Sequence, residues 1–281
     1  MRILITGYKG QLGSTLMQAL QHYTLEGIDL PETDIAKLEV VEAITNLRPN
    51  LVIHAAAITD VDGCAQDPEA AYLTNALGTR NVALGCLRAG AEMLYISTNE
   101  VFDGTKEEPY LEFDEPNPIN AYGRSKLAGE RLAQGLLHRL YIVRTAWLYG
   151  RGQRHFVERV LQLAQERSEL RFVIDEVGSP TYVVDLAQAI AQLIETHAYG
   201  IYHFTNAGCC SRYDFAAKVL ALAGRDDVTL LPITSQDYVR ASQPPARTCV
   251  GNLCGRALGI TLRPWEEALS AYFAQRAREP R

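Results

Sequence analysis

The stretch Ile3-Leu4-Ile5-Thr6-Gly7-Tyr8-Lys9-Gly10-Gln11-Leu12-Gly13 decides how this chain folds. Three large branched apolar residues read as a buried strand, and they run directly into Gly-x-x-Gly-x-x-Gly. An amphipathic helix pattern over residues 11–22 follows at once. Glycines at 7, 10 and 13 let the backbone turn sharply and approach a pyrophosphate, whose charge meets the free N–H groups of a helix N-terminus. The spacing differs from the Gly-x-Gly-x-x-Gly form, so the motif draws its meaning from context. A strand precedes it and a helix follows, which is the opening of a dinucleotide-binding βαβ unit.

Working outward, the same alternation continues. Strands are predicted over residues 2–6, 25–29, 51–56, 93–97 and 140–145, and helices over 11–22, 40–47, 69–89 and 121–138. This rhythm implies an α/β fold: a doubly wound, mostly parallel, Rossmann-like sheet with right-handed crossovers over residues 1–150. After Gly150 the rhythm loosens. Helices are predicted over 155–166, 184–195 and 213–222, strands over 171–174 and 200–205, and a last amphipathic stretch over 265–274. Residues 151–281 are therefore expected to form mainly a smaller substrate lobe, with part of 184–205 folding back on the first domain. Residues 276–281 read as a frayed tail.

Composition narrows the function. The 281 residues carry 27 Lys plus Arg against 33 Asp plus Glu, a net charge of −6. Without a basic cluster, that balance argues against nucleic acid and anionic membranes as partners. The longest apolar run, residues 51–58, is far short of the ~20 residues that cross a bilayer. No signal peptide is read before the first strand, and the six cysteines lack metal-type spacing. The expectation is a cytoplasmic protein with reduced thiols, acting on a small molecule as a monomer or homodimer.

Two further places carry chemistry. Asp29 closes the second predicted strand, where an acid accepts hydrogen bonds from the adenosine ribose and disfavours a 2′-phosphate. Lys9 pulls the other way by pairing with that phosphate, so either NADPH or NADH is expected to serve. Alternatively, Asp29 is a strand-end turn acid and Lys9 a solvated lysine. Tyr122 and Lys126, at i and i+4, share one helix face. An ammonium beside the phenol is expected to lower its pKa, suiting Tyr122 to deliver a proton to a carbonyl. Thr98, or less favourably Ser97, ends a strand where such sheets bind ligands and can hold the same carbonyl oxygen.

In this order, the Gly loop, Ser97-Thr98 and Tyr122-x-x-x-Lys126 resemble the extended short-chain dehydrogenases/reductases, and within them the dTDP-4-dehydrorhamnose reductases. The resemblance extends through Ala55-Ala-Ala57, Val61-Asp62, Val101-Phe-Asp-Gly104, Tyr122-Gly-Arg-Ser-Lys-Leu-Ala-Gly-Glu130 and Arg144-Thr-Ala-Trp-Leu-Tyr-Gly150. Gly178-Ser-Pro-Thr181, Pro245-Ala-Arg247 and Pro264-Trp265 also fit, so it covers nearly the whole chain. It implies NADPH- or NADH-dependent reduction of the 4-keto group of a nucleotide-linked deoxysugar, foremost dTDP-4-dehydro-L-rhamnose. Thr98, Tyr122 and Lys126 match the catalytic trio. Gly7, Gly10, Gln11, Leu12 and Gly13 match the pyrophosphate loop. Ala55, Ala56 and Ala57 match the strand end beside the cofactor, and Trp147 matches the aromatic of the substrate region, with residues 145–149 beside the nicotinamide.

The chain departs from the family at Asn99 and Glu100, where Asp and Tyr are usual. A carboxylate in place of an aromatic near the sugar concerns the substrate rather than the reaction type. Glu100 is expected to contact the sugar or its loops, or else to pair with Arg151 or Arg154. Some family members use a magnesium ion, but a glutamate expected on the first helix is Thr15 here, so no metal is carried over. Alternatives are a related nucleotide-sugar 4-reductase or epimerase, or a binding subunit like the regulatory subunit of methionine adenosyltransferase. His54 reads as a hydrogen-bonded core histidine, Trp265 and Tyr272 as packing, and Asp62 and Asp103 either as acids that orient loops near the site or, equally, as turn acids.

Overall fold

A computed structural model of the chain describes residues 1–150, 152 and 155–278. Its centre is a six-stranded sheet of β1 (Arg2–Thr6), β2 (Thr24–Ile28), β3 (Leu51–His54), β4 (Glu92–Thr98), β5 (Leu140–Thr145) and a sixth strand, Gly200–His203. The order across the sheet is sixth-β5-β4-β3-β1-β2, and every neighbouring pair is parallel. Strand β2 lies on one side of β1. The helix α2 (Glu39–Leu47) then carries the chain to β3 on the other side. That reversal opens a crevice at the C-terminal ends of β1 and β3, where open α/β sheets bind ligands.

Alternation along the strands covers both faces. Ile3 and Ile5 pack with Leu12 and Leu16 of α1 (Gln11–Ala19) and with helix Val183–Leu193. Leu4 points to the opposite face, with Val40, Ile44, Val52, Val82 and Met93. Both the helix Val183–Leu193 and the strand Gly200–His203 thus pack with the first sheet.

The single helix predicted over 69–89 is instead several pieces. Asp60 caps Val61–Gln66 and Asp67 caps Pro68–Tyr72 through their carboxylates. Pro68 cannot continue a preceding helix, and a π-helical turn, Leu73–Gly78, precedes Thr79–Ala89. The strand predicted over 51–56 ends at His54, which leaves Ala55–Ala57 as loop.

A second core gathers Tyr149, Val157, Leu161, Phe215, Leu269, Trp265 and Tyr272, so Trp265 and Tyr272 pack as expected. Its edge holds Glu169–Val173 paired parallel with Thr229–Ile233, a strand the sequence reading missed because its residues are half exposed and include Pro232. The expectation of reduced thiols throughout is corrected at one place: Cys209 and Cys249 form a disulfide across 40 residues of sequence. The fold brings these two together without a local spacing signal. Cys64, Cys86, Cys210 and Cys254 are free. No helix among the described residues is long and apolar enough to cross a membrane. Residues 279–281 of the predicted tail lie outside the described residues.

Candidate active site

The Gly loop leaves β1 through Gly7, whose φ of +70° is a left-handed conformation that favours glycine. A Cβ on Gly7 would stand 2.8 Å from Ala56 Cα, so the loop touches the segment after β3. Gly13 is equally constrained, because a side chain there would collide with the Gly7 carbonyl. Gly10 caps α1 without any side-chain cap, leaving first-turn N–H groups open. Gln11 Nε2 is buried and has no hydrogen-bond partner. A glycine cradle, uncapped amides and an orphaned amide donor fit the pyrophosphate of a dinucleotide.

At the β2 end, Asp29 Oδ2 accepts the Lys9 N–H (3.0 Å) and Oδ1 accepts the Leu30 N–H (2.8 Å). Asp29 thereby tethers the Gly loop to the end of β2. Lys9 Nζ donates to Leu30 O (3.0 Å) and Glu32 Oε2 (2.8 Å). His54 is the core histidine expected: Thr6 Oγ1 lies 2.7 Å from Nδ1 and Thr79 Oγ1 3.0 Å from Nε2. Burial takes its pKa down to about 3.

The catalytic trio of the sequence reading converges at the end of β4. Helix Ala121–Gln134 carries Tyr122 and Lys126 on its inward face, with the Tyr122 hydroxyl near Thr98, whose own Oγ1 donates to Asn99 Oδ1 (3.3 Å). Lys126 is buried, donates to Ile96 O of β4 (2.7 Å) and stands 4.3 Å over the Tyr95 ring. Burial takes its pKa down to about 7, partly opposed by Glu130. Ser97 is not free for a carbonyl. Its Oγ donates to Glu130 Oε1 (2.5 Å), and Glu130 also holds Arg144 through two bonds of 3.0 and 2.7 Å. This buried cluster fixes the helix to β4 and β5.

The expected lowering of the Tyr122 pKa is corrected. Burial raises it, the nearby Glu100 carboxylate raises it further, and the Thr98 hydroxyl only partly offsets both. The chain by itself keeps the phenol protonated.

The structure also brings in residues the sequence reading missed. Asn75, placed by the π-helical turn, bonds Ile58 N (2.9 Å), Ile58 O (3.0 Å) and Ser125 Oγ (3.0 Å), joining the loop after Ala57 to the Tyr122 helix. Arg212 stacks on Trp147, a residue held at φ +43° with its indole lodged over Gly178. These two, with Phe156, Arg159, Glu176 and Arg240, line a cavity of about 1200 Å³ that opens beside the second core. Asp62 accepts from Ser242, 180 residues away in sequence, and Asp103 is held locally by Thr105, Tyr110 and Asn117. Glu100 Oε2 accepts from Asn120 Nδ2 (2.6 Å). Arg151 and Arg154, its expected partners, lie outside the described residues.

Comparison with known proteins agrees with this geometry. The chain is 38% identical to a dTDP-4-dehydrorhamnose reductase of Aggregatibacter actinomycetemcomitans, covering 95% of this chain and 97% of that one. It is 36% identical to a dTDP-4-keto-6-deoxy-D-glucose reductase of Streptomyces niveus, over 97% and 96%. A solved dTDP-4-dehydrorhamnose reductase from Bacillus anthracis, in complex with NADP, superposes with a TM-score of 0.94 at 40% identity, covering 98% and 99%. The family model described as the RmlD substrate binding domain matches residues 1–278, and the chain belongs to that family.

Proposed function

We propose that the protein reduces the 4-keto group of a dTDP-linked 6-deoxysugar, foremost dTDP-4-dehydro-L-rhamnose, using NADPH or NADH. The observation that carries this reading is the convergence of Thr98, Tyr122 and Lys126 where β4 meets the crevice: Lys126 donates to Ile96 O, and residue 100 bridges Thr98 Oγ1 and the turn that carries Tyr122. Gly7, Gly10, Gln11, Leu12 and Gly13 would hold the cofactor pyrophosphate, with Lys9 and Asp29 at the adenosine ribose. Ala55, Ala56 and Ala57 would border the cofactor, and Tyr122 and Lys126 its nicotinamide ribose. The bound nicotinamide supplies the hydride.

The chain's own residues do the rest. Thr98 Oγ1 donates a hydrogen bond to the keto oxygen and holds it. Tyr122 delivers its proton to that oxygen as the hydride reaches sugar C4, so ketone, hydride and proton balance to an alcohol. A phenol that the protein keeps protonated is loaded for this step. The phenolate is then reprotonated from solvent, with Lys126 stabilising it electrostatically. Trp147, Arg212 and Arg240 fit the nucleotide side of the substrate, because stacked and cationic groups suit a base and a diphosphate. The reading places this chemistry in the cytoplasm, in a monomer or homodimer.

A second candidate substrate is the 4-keto-6-deoxy-D-glucose epimer named for the Streptomyces niveus relative, which is 36% identical to this chain. A regulatory-subunit role gains nothing from an intact trio. The deciding assay follows nicotinamide oxidation with both 4-keto epimers. Tyr122→Phe is expected to cut turnover by roughly 10²-fold with cofactor affinity kept. Absence of oxidation with either epimer, or a fully active Tyr122→Phe, overturns the reading.

A further inference from the structure

Residue 100 touches Thr98 and the first turn of the helix that carries Tyr122 and Lys126. Its backbone N–H donates to Thr98 Oγ1 (3.2 Å). Its carbonyl lies against Gly123, the residue after Tyr122, where any Cβ would collide with it. Its carboxylate accepts from Asn120 Nδ2 (2.6 Å), and Asn120 Oδ1 in turn accepts the Gly123 N–H (2.8 Å) as the cap of the Tyr122 helix. One side chain therefore links the exit of β4 to the first turn of the helix that carries the acid.

We propose that Glu100 is a positioning residue: through Asn120 it sets the first turn of the Tyr122–Lys126 helix against the Thr98 hydroxyl. The role rests on the reductase reading above.

The chemistry of the pair supports it. A carboxylate is a stronger acceptor for the Asn120 amide than a neutral group, which orients the amide so that its other end caps the helix. Displacing a proton donor by a fraction of an ångström is enough to slow a transfer step. Glu100 also faces Arg212, Arg240 and Glu176 from the second lobe, Cys64 from helix Val61–Gln66, and Tyr122 itself. The Cys64 thiol, pushed up to about 11 by burial, stays neutral. Burial raises the Glu100 carboxyl and the Asn120 bond lowers it, while its charge opposes ionisation of Tyr122.

Two measurements test the proposal. Ultraviolet titration of the phenolate band with NADP⁺ bound, each protein against its own Tyr122→Phe counterpart, isolates Tyr122 without any sugar. Glu100→Gln keeps an acceptor oxygen but removes the charge, and is expected to lower that midpoint by roughly 0.5 in pH or more. The second is a donor–acceptor exchange. Asn120→Asp sets two carboxylates against each other and is expected to cut kcat about tenfold or more, with NADPH affinity kept. Adding Glu100→Gln restores a matched pair and should recover most of that loss.

An unmoved Tyr122 midpoint, or a double variant no faster than Asn120→Asp, overturns the proposal. So does a Glu100→Gln protein whose only change is a raised KM for the sugar, the mark of a substrate acceptor. If Asn120→Asp does not fold, Asn120→Ser takes its place in the kinetic comparison, and a kcat unchanged from wild type overturns the proposal. A wild-type protein that binds NADPH but reduces neither 4-keto epimer sinks the reductase reading, and the sugar-free titration still decides the role of Glu100.

Discussion

The Arg212 guanidinium lies over the Trp147 indole, with Cζ 3.5 Å from the ring centroid and 5.1 Å from that of Phe156. Among the described residues its side chain has these stacking contacts and no ion pair, although Glu176 and Glu100 are near enough to favour its charge. Burial takes its pKa down to about 10, still charged at neutral pH. A cation held by aromatic faces keeps its N–H groups free for an anionic ligand.

Arg212→Lys retains the charge but loses the planar stack. It is expected to raise KM for the nucleotide sugar about tenfold, or ~1.4 kcal/mol, with NADPH affinity unchanged. Gly178→Ala should act through the same contact, because its Cβ would stand 2.7 Å from Trp147 Cε2. Steady-state kinetics with varied sugar check both. An unchanged KM in Arg212→Lys would remove the stacked guanidinium from substrate recognition.

Lys126 gives a prediction that separates stability from activity. Its folded pKa, about 7, lies below the ordinary value of 10.5 because burial disfavours the ammonium. The unfolded chain binds more protons between these values, so stability rises with pH from about 7 upward, and the cost is complete below about 7. Lys126→Met removes that cost while leaving the Ile96 carbonyl without its donor, a loss of about 1–3 kcal/mol. The variant is expected to lose turnover by roughly 10²-fold yet melt higher than wild type below neutral pH. The difference in Tm should shrink as pH rises. Lower melting at every pH would mean that the Ile96 bond and the Tyr95 contact outweigh desolvation.

Legibility divides along physical lines. The parallel sheet, Gly7, Gly13 and the Tyr122–Lys126 spacing were readable because strand period, helix period and glycine backbone freedom are local properties of sequence. Thr98 was readable for the same reason, as the hydroxyl at the end of an apolar strand. Arg212, Asn75 and Asn120 were not, since each acquires its role from a contact made far away in sequence: Arg212 with Trp147, Asn75 with Ile58 and Ser125, Asn120 with Glu100. The Tyr122 pKa was misread for a related reason. Helix spacing showed Lys126 one turn away but not the Glu100 carboxylate or the depth of burial, which set the direction.

Cofactor choice rests on Lys9, Glu32 and Asp29. Sequence alone made Asp29 the residue that repels a 2′-phosphate, so that Asp29→Ala would favour NADPH. In the structure both Asp29 oxygens are engaged, one on the Lys9 N–H and one on the Leu30 N–H. Removing them loosens the Gly loop itself, so Asp29→Ala is expected to weaken NADPH and NADH together. The carboxylate that competes for the Lys9 ammonium is Glu32, 2.8 Å away and exposed. A 2′-phosphate arriving here must draw Lys9 from Glu32, and the exposed pair is weak enough in salt solution to release it. Glu32→Gln is therefore expected to raise the ratio of kcat/KM for NADPH over NADH by roughly threefold to tenfold, most strongly at low salt. Lys9→Gln should lower that ratio. If neither substitution moves it, the Lys9–Glu32 pair does not border the phosphate, and discrimination lies elsewhere on the β2 edge.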